Sequence, residues 1–253
     1  MPLSKMRYRT KKIYSGKFLE VEMYPVYTGT KSGRSKKEKP SSGKQKNLND
    51  KNAKKNISRL VHNNFAEGDL MITLSYNNKN RPSNEEQAKK DIDNYLRRIK
   101  RYRQKNNLEE LKYIAVIEYK ESQEGKNIKL HHHLIINSMD RDEAERIWGK
   151  GYANTMRLEE DENGLEGITR YIIKDPQGKK RVKQSRNLKQ PVIKIKDDEF
   201  TKRTVNKFIK DVDRQDYFER KYKNYHYVNS EIYINDITGV AVSVKLRKLE
   251  KSD

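Results

Sequence analysis

The chain has 253 residues, with 57 Lys and Arg against 36 Asp and Glu, a formal net charge of +21 and no cysteine. The length allows one good hydrophobic core with small additions, and without cysteine both disulfides and thiolate metal ligands are excluded. Self-repulsion at this charge costs stability, so a polyanionic partner is expected, nucleic acid first and a membrane surface second. No stretch reads as a signal peptide or a long apolar helix, which speaks against a membrane, and the absence of cysteine fits a reducing cytoplasm.

In chain order, Ile13 to Tyr27 alternates loosely and reads as one or two strands. Gly29 to Gly43 is rich in Gly, Ser, Lys and Pro and reads as a linker. Asn47 to Asn64 spaces Leu48, Ala53, Ile57, Leu60 and Val61 as an amphipathic helix. Leu70 to Tyr76 is a strand with Leu70, Ile72, Leu74 and Tyr76 on one face and Met71, Thr73 and Ser75 on the other. Ser83 and Glu86 form a capping-box pattern for a helix from Asn84 to about Gln104, whose far end carries Arg97, Arg98, Arg101 and Arg103. These four are candidates for phosphate contact, although cations also suit a helix C-terminus.

Lys112 to Glu121 reads as a strand, joined through a loop at Gly125 to a second, Ile128 to Asn137, as a hairpin. Asp140 to Trp148 follows as a short helix, Gly151 to Leu158 as a strand, and Leu165, Ile168 and Ile172 mark a helix ended by Pro176 and Gly178. Residues 179 to 196 are basic and irregular. Thr201 to about Lys223 reads as one helix, and Tyr225–Ile234 with Val240–Leu246 as a strand pair. The pattern predicts an α+β fold, an antiparallel central sheet with helices packed on one face. Three segments are expected: 1–64 with N-terminal strands, basic linker and helix; 65–180 as the core; and 181–253 as a C-terminal helix and strand pair packed on that core.

Three consecutive histidines stand inside the second hairpin strand. Alternation puts His131 and His133 on one face, their Cα atoms roughly 6.7 Å apart. His132 faces the other way with Ile128, Leu130, Leu134 and Ile136. Two imidazoles on one face are half of a metal site. Glu118, near the end of the preceding strand, is the candidate third ligand because an antiparallel hairpin can bring it beside that face; the alternative is a solvated strand-end carboxylate. Only His62 and His226 remain as further histidines, so the site has few protein ligands. Downstream, Tyr171 and Lys174 are three apart on a helix and project to one side. A phenol beside a polarised phosphate and an ammonium can act as a nucleophile, whereas alone it reads as a partly buried helix tyrosine.

Met71-Ile-Thr-Leu-Ser-Tyr76, Leu130-His-His-His-Leu-Ile-Ile136 and Tyr171-Ile-Ile-Lys174 resemble, in order and spacing, the three motifs of the HUH endonuclease superfamily. The closest likeness is to single-tyrosine rolling-circle replication initiators of bacterial plasmids, prophages and filamentous phages. The resemblance covers about residues 65 to 180. It implies an RRM-like (ferredoxin-like) sheet with the site on its open face and a divalent ion, Mn or Mg, on His131, His133 and Glu118. Tyr171 would attack single-stranded or hairpin origin DNA, leaving a 5′-phosphotyrosine link and a free 3′-OH. Lys174 would steady the metal or the phosphate. Thr73, Ser75, the four helix arginines and Lys179, Lys180 and Arg181 would contact DNA, with the bacterial host cytoplasm as the location and a host helicase and polymerase as further partners. The middle histidine departs from that family's bulky apolar residue. A transposase or mobilisation relaxase of the same superfamily, and a non-catalytic DNA-binding copy-control protein, remain the competing readings.

Overall fold

The structure is a computed structural model and describes residues 6–27, 43–120, 129–173, 182–210, 214–235 and 239–250. In chain order these form strands β1 (Met6–Ser15) and β2 (Phe18–Tyr27), helix α1 (Gly43–Asn64), β3 (Leu70–Ser75), α2 (Glu85–Lys105), β4 (Tyr113–Lys120), β5 (Lys129–Ile136), α3 (Arg141–Arg146), β6 (Ala153–Arg157), α4 (Glu166–Ile172), β7 (Val182–Gln184), β8 (Val192–Asp197), α5 (Lys202–Ile209), α6 (Arg214–Lys221), β9 (Tyr225–Asn235) and β10 (Gly239–Lys248). The fold is α+β, with two antiparallel five-stranded sheets among the described residues. Two compact units result: Met1–Leu48 with Gln190–Asp253, and Asn49–Lys189. These lines are drawn differently from the three sequence segments, because strands from the two ends of the chain pair with each other.

The first unit orders its strands β8-β1-β2-β10-β9. One face gathers Tyr8, Leu19, Val21, Met23, Val242, Val244 and Leu246 against Phe200, Val205, Phe208 and Phe218. The stretch read as a single helix from Thr201 is two helices. Arg214, the first residue of α6, is buried and its Nε donates to the Phe208 carbonyl at 2.9 Å, near the end of α5. The basic stretch 179–196, read as irregular, contains β7 and β8, each paired with a strand distant in sequence. Most of the Gly29–Gly43 linker, and the Gly125 loop, lie outside the described residues.

In the second unit, β3, α2, β4, β5, α3 and β6 follow one another as a β-α-β-β-α-β unit, with sheet order β6-β3-β5-β4 extended by β7. That is the ferredoxin-like split arrangement. On one face Leu70, Ile72, Leu74, Ala115, Leu134 and Ile136 pack on Ile92, Tyr95, Leu96 and Ile99 of α2 and on Ala144 and Trp148. The opposite face is not left open as expected. Its Ile114, Val116 and Ile135 pack on Leu60, Val61 and Phe65 from the end of α1, and on Leu165, Ile172 and Ile173 in and around α4. Helical cover thus reaches both faces, and α4 reaches the second one with Tyr171 aboard. Helix α2 is capped one residue later than the Ser83 pattern suggested: the Asn84 side chain accepts from the Gln87 N–H at 2.9 Å.

The β6 end of this unit is held by a close backbone approach. A Cβ on Gly151 would meet the Ser75 carbonyl oxygen at 2.4 Å and the Asn77 nitrogen at 2.5 Å. Gly149, at φ +63°, has open space around it. Gly151→Ala is therefore expected to cost about 1–3 kcal/mol through overpacking against rigid backbone, and Gly149→Ala only about 1 kcal/mol of left-handed strain. Urea unfolding midpoints of the two variants check the ranking.

Candidate functional site

The register carries the site. In β5, His131 lies opposite Glu118 of β4 on one side and Ser75 of β3 on the other, and His133 lies opposite Val116 and Thr73. Cross-strand partners share a face, so His131, His133, Glu118, Thr73 and Ser75 all face the α4 side of the sheet. His133 is buried, with Nε2 2.9 Å from Glu118 Oε2 and Nδ1 3.2 Å from Thr73 Oγ1. An ionised carboxylate only accepts, so Nε2–H donates to Glu118 and the Thr73 hydroxyl donates to Nδ1. The hydroxyl can also accept, which lets it hold the ring in either tautomer. Thr73, expected to touch DNA, is placed to orient an imidazole.

Tyr171 comes from α4, whose Leu165, Ile172 and Ile173 are anchored in the core beneath. Its ring meets the His133 ring edge-on, with centroids 5.5 Å apart. It is nonetheless 52% exposed. Ser75 Oγ donates to the Tyr152 carbonyl at 3.3 Å.

His132 faces the other way and is fully buried. Its ring sits edge-on to Tyr76 and Trp148, at 5.6 and 5.8 Å between centroids. Its Nε2 is 2.7 Å from the Tyr76 hydroxyl, while Nδ1 is buried without a hydrogen-bond partner. An unpaired acceptor is less costly than an unpaired N–H. The proton therefore belongs on Nε2, donated to Tyr76. Burial, and next the negative charge of Asp91, hold the Tyr76 phenol above its ordinary range. Asp91 is itself buried and takes the Lys150 ammonium at 3.1 Å. Trp148 closes this side, donating Nε1–H to the Ser75 carbonyl at 2.7 Å.

The other expected contact residues fall elsewhere. Arg103 is buried and donates to the carbonyls of Glu109, Asn137 and Ser138 at 2.7, 3.1 and 3.0 Å. It ties the end of α2 to the loops flanking β4 and β5, so its assignment as a DNA contact is corrected. Arg97, Arg98 and Arg101 are exposed on α2, the helix that packs on the sheet face opposite Tyr171. Arg98 donates to the Trp148 carbonyl at 3.0 Å and Arg97 to Asn94. Lys174, Lys179, Lys180 and Arg181 lie outside the described residues.

Two imidazoles and a carboxylate on adjacent strands are donor types that a divalent ion accepts. The set is incompletely gathered: Glu118 touches His133, while among the described residues no three His, Cys, Asp or Glu side chains form a ready cage. The donor chemistry fits an ion, with His131 brought to the same face as the joined pair by the register.

Burial lowers the His132 pKa from 6.5 to about 4. The unfolded chain therefore takes up this proton first as pH falls, and the stabilisation is complete above about 6.5 and lost progressively toward 4, by up to about 3 kcal/mol. Urea unfolding between these pH values should show a shallower pH slope for His132→Leu than for the native chain; an equal slope would place that proton uptake on another group.

Residues 69–176 match the family model described as Replication-associated protein ORF2/G2P. The match covers less than half of the chain and spans β3 through α4, including the three histidines, Glu118 and Tyr171. Searches of curated proteins and of solved structures give no match. Among the described residues no helix is long and apolar enough to cross a membrane.

Proposed function

We propose that this chain is a single-strand DNA endonuclease that initiates rolling-circle replication by tyrosine attack. The observation that carries this reading is the edge-on contact of an exposed tyrosine, Tyr171, with the ring of His133, which is itself bonded to Glu118 on a face shared with His131. The likeness of residues 69–176 to replication-associated proteins supports DNA at an origin as the substrate, and the net charge of +21 supports a polyanion in general.

His131, His133 and Glu118 would hold a divalent ion, Mn or Mg. Once bound, the ion would supply charge neutralisation at the phosphate. The residues of the chain do the rest. Thr73 fixes the His133 ring, and the buried part of α4 fixes the backbone that carries Tyr171. Tyr171 Oη forms the new bond to phosphorus and the bond from phosphorus to the 3′ oxygen breaks. The phenol gives up its proton and the 3′ oxygen takes one. The products are a 5′-phosphotyrosine link and a free 3′-OH, which a host polymerase could extend, with strand opening left to a host helicase. A transposase or mobilisation relaxase would use the same chemistry on another DNA site.

The test is incubation of the full chain with a labelled random-sequence single-stranded oligonucleotide pool and Mn, followed by denaturing electrophoresis. A covalent protein–DNA band is expected from the native chain. Tyr171→Phe keeps the ring against His133 and should abolish the band while leaving DNA affinity nearly unchanged. An undiminished band from the folded Tyr171→Phe protein would move the nucleophile elsewhere.

A further inference from the structure

Strand β6 forms one edge of the second unit's sheet, and its side chains toward the site face stand open in a row. Asn154 lies opposite Thr73 and Met156 opposite Met71, and the same register, continued by one position, sets Tyr152 opposite Ser75. Tyr152 is 78% exposed and Met156 58% exposed, with Asn154 also exposed. A tyrosine this open forgoes the burial that stabilises most aromatic side chains.

Its backbone, by contrast, is fixed. The Ser75 N–H donates to the Tyr152 carbonyl at 2.8 Å and the Asn77 N–H to the Lys150 carbonyl at 3.1 Å. Gly151 leaves no room for a Cβ against the end of β3, and Lys150 is anchored on buried Asp91. The ring is thus held out on a rigid mount, which limits the entropy that a contact would cost.

The row matters because of what else it contains. Across β4, β5 and β3 to the residue that leads into β6, Glu118, His131, Ser75 and Tyr152 lie side by side. With strands about 4.8 Å apart, Tyr152 is roughly 10 Å along the sheet from His131, a reach of about two nucleotides of single strand. We infer that Tyr152 is a stacking platform for an unpaired base beside the cleaved phosphodiester, with Asn154 and Met156 carrying the strand onward along β6. Every base presents a π-face to such a ring, the Asn154 amide can both donate to and accept from a base edge, and the Met156 thioether suits a flat apolar surface. A stacked duplex cannot offer such a base, so the platform selects unpaired DNA. The inference rests on the nicking site proposed above, and makes Tyr152 a positioning residue there.

The test is fluorescence anisotropy of the full chain without added metal, using a labelled oligothymidylate of about 20 nucleotides and a duplex of the same length. Tyr152→Ala should weaken single-strand binding about 5- to 150-fold, the range for losing one stacked base, with duplex binding and melting temperature unchanged. Tyr152→Phe should bind as the native chain does, and in Mn should still form the covalent band. Unchanged single-strand affinity in Tyr152→Ala overturns the platform, as does a Tyr152→Phe loss equal to that of Tyr152→Ala. The two readings separate cleanly. Lost affinity in Tyr152→Ala with no covalent band from the native chain keeps the platform and removes the nicking site. A covalent band with undiminished Tyr152→Ala affinity does the reverse.

Discussion

Side chains on a strand leave alternately toward its two faces, and in β5 this divides three identical neighbours between two environments. His132 enters the core, where Tyr76 and Trp148 enclose it and the Tyr76 hydroxyl meets its one paired nitrogen. His131 and His133 are thereby turned to the other face. A slip of one residue would bury two imidazoles and expose one, so the polar pocket that accepts His132 also sets the register of everything opposite. A histidine at this position is matched by a built hydrogen-bond partner, the Tyr76 hydroxyl, which an aliphatic residue could not engage.

From that register the remaining groups follow as neighbours. Glu118, Thr73 and Ser75 arrive by strand pairing, and Tyr171 arrives because the apolar residues in and around α4 fill the second face of the sheet. Residues from position 73 to position 171 meet in one place without any being adjacent in sequence. The His133 imidazole is held between the Glu118 carboxylate and the Thr73 hydroxyl, a hydroxyl that can either donate or accept.

Much of this was legible in the sequence because it is local. Period-two alternation identified β3, β4 and β5 and the inward direction of His132, and i to i+3 spacing marked Tyr171 on its helix. What escaped depends on partners distant in the chain. Strand β7 is only three residues long, and β8, although Ile193-Lys194-Ile195-Lys196 alternates, is exposed on both faces; each is placed by pairing with a strand distant in the chain, β7 with β4 and β8 with β1. Arg103 reads as one more cation in a basic helix end, and only the carbonyls of Glu109, Asn137 and Ser138 convert it into a buried tie. The sequence pattern runs α5 and α6 together, where the fold has two helices tied by the Arg214 guanidinium donating to the Phe208 carbonyl. Tyr152 fell within the stretch read as a strand from Gly151 to Leu158, but its exposure and its place beside Ser75 depend on the pairing with β3; a glycine on each side of Lys150 was the available hint of a backbone forced close to another strand.

The central claim is that the outer histidines share one face and the middle one belongs to the core. Manganese binding at the proposed site, measured by isothermal titration or electron paramagnetic resonance on the full chain, reads this directly. His131→Ala should lose the site while His132→Leu, once shown to be folded, should retain it. A folded His132→Leu protein that no longer binds manganese, beside a His131→Ala protein that still does, would contradict the account.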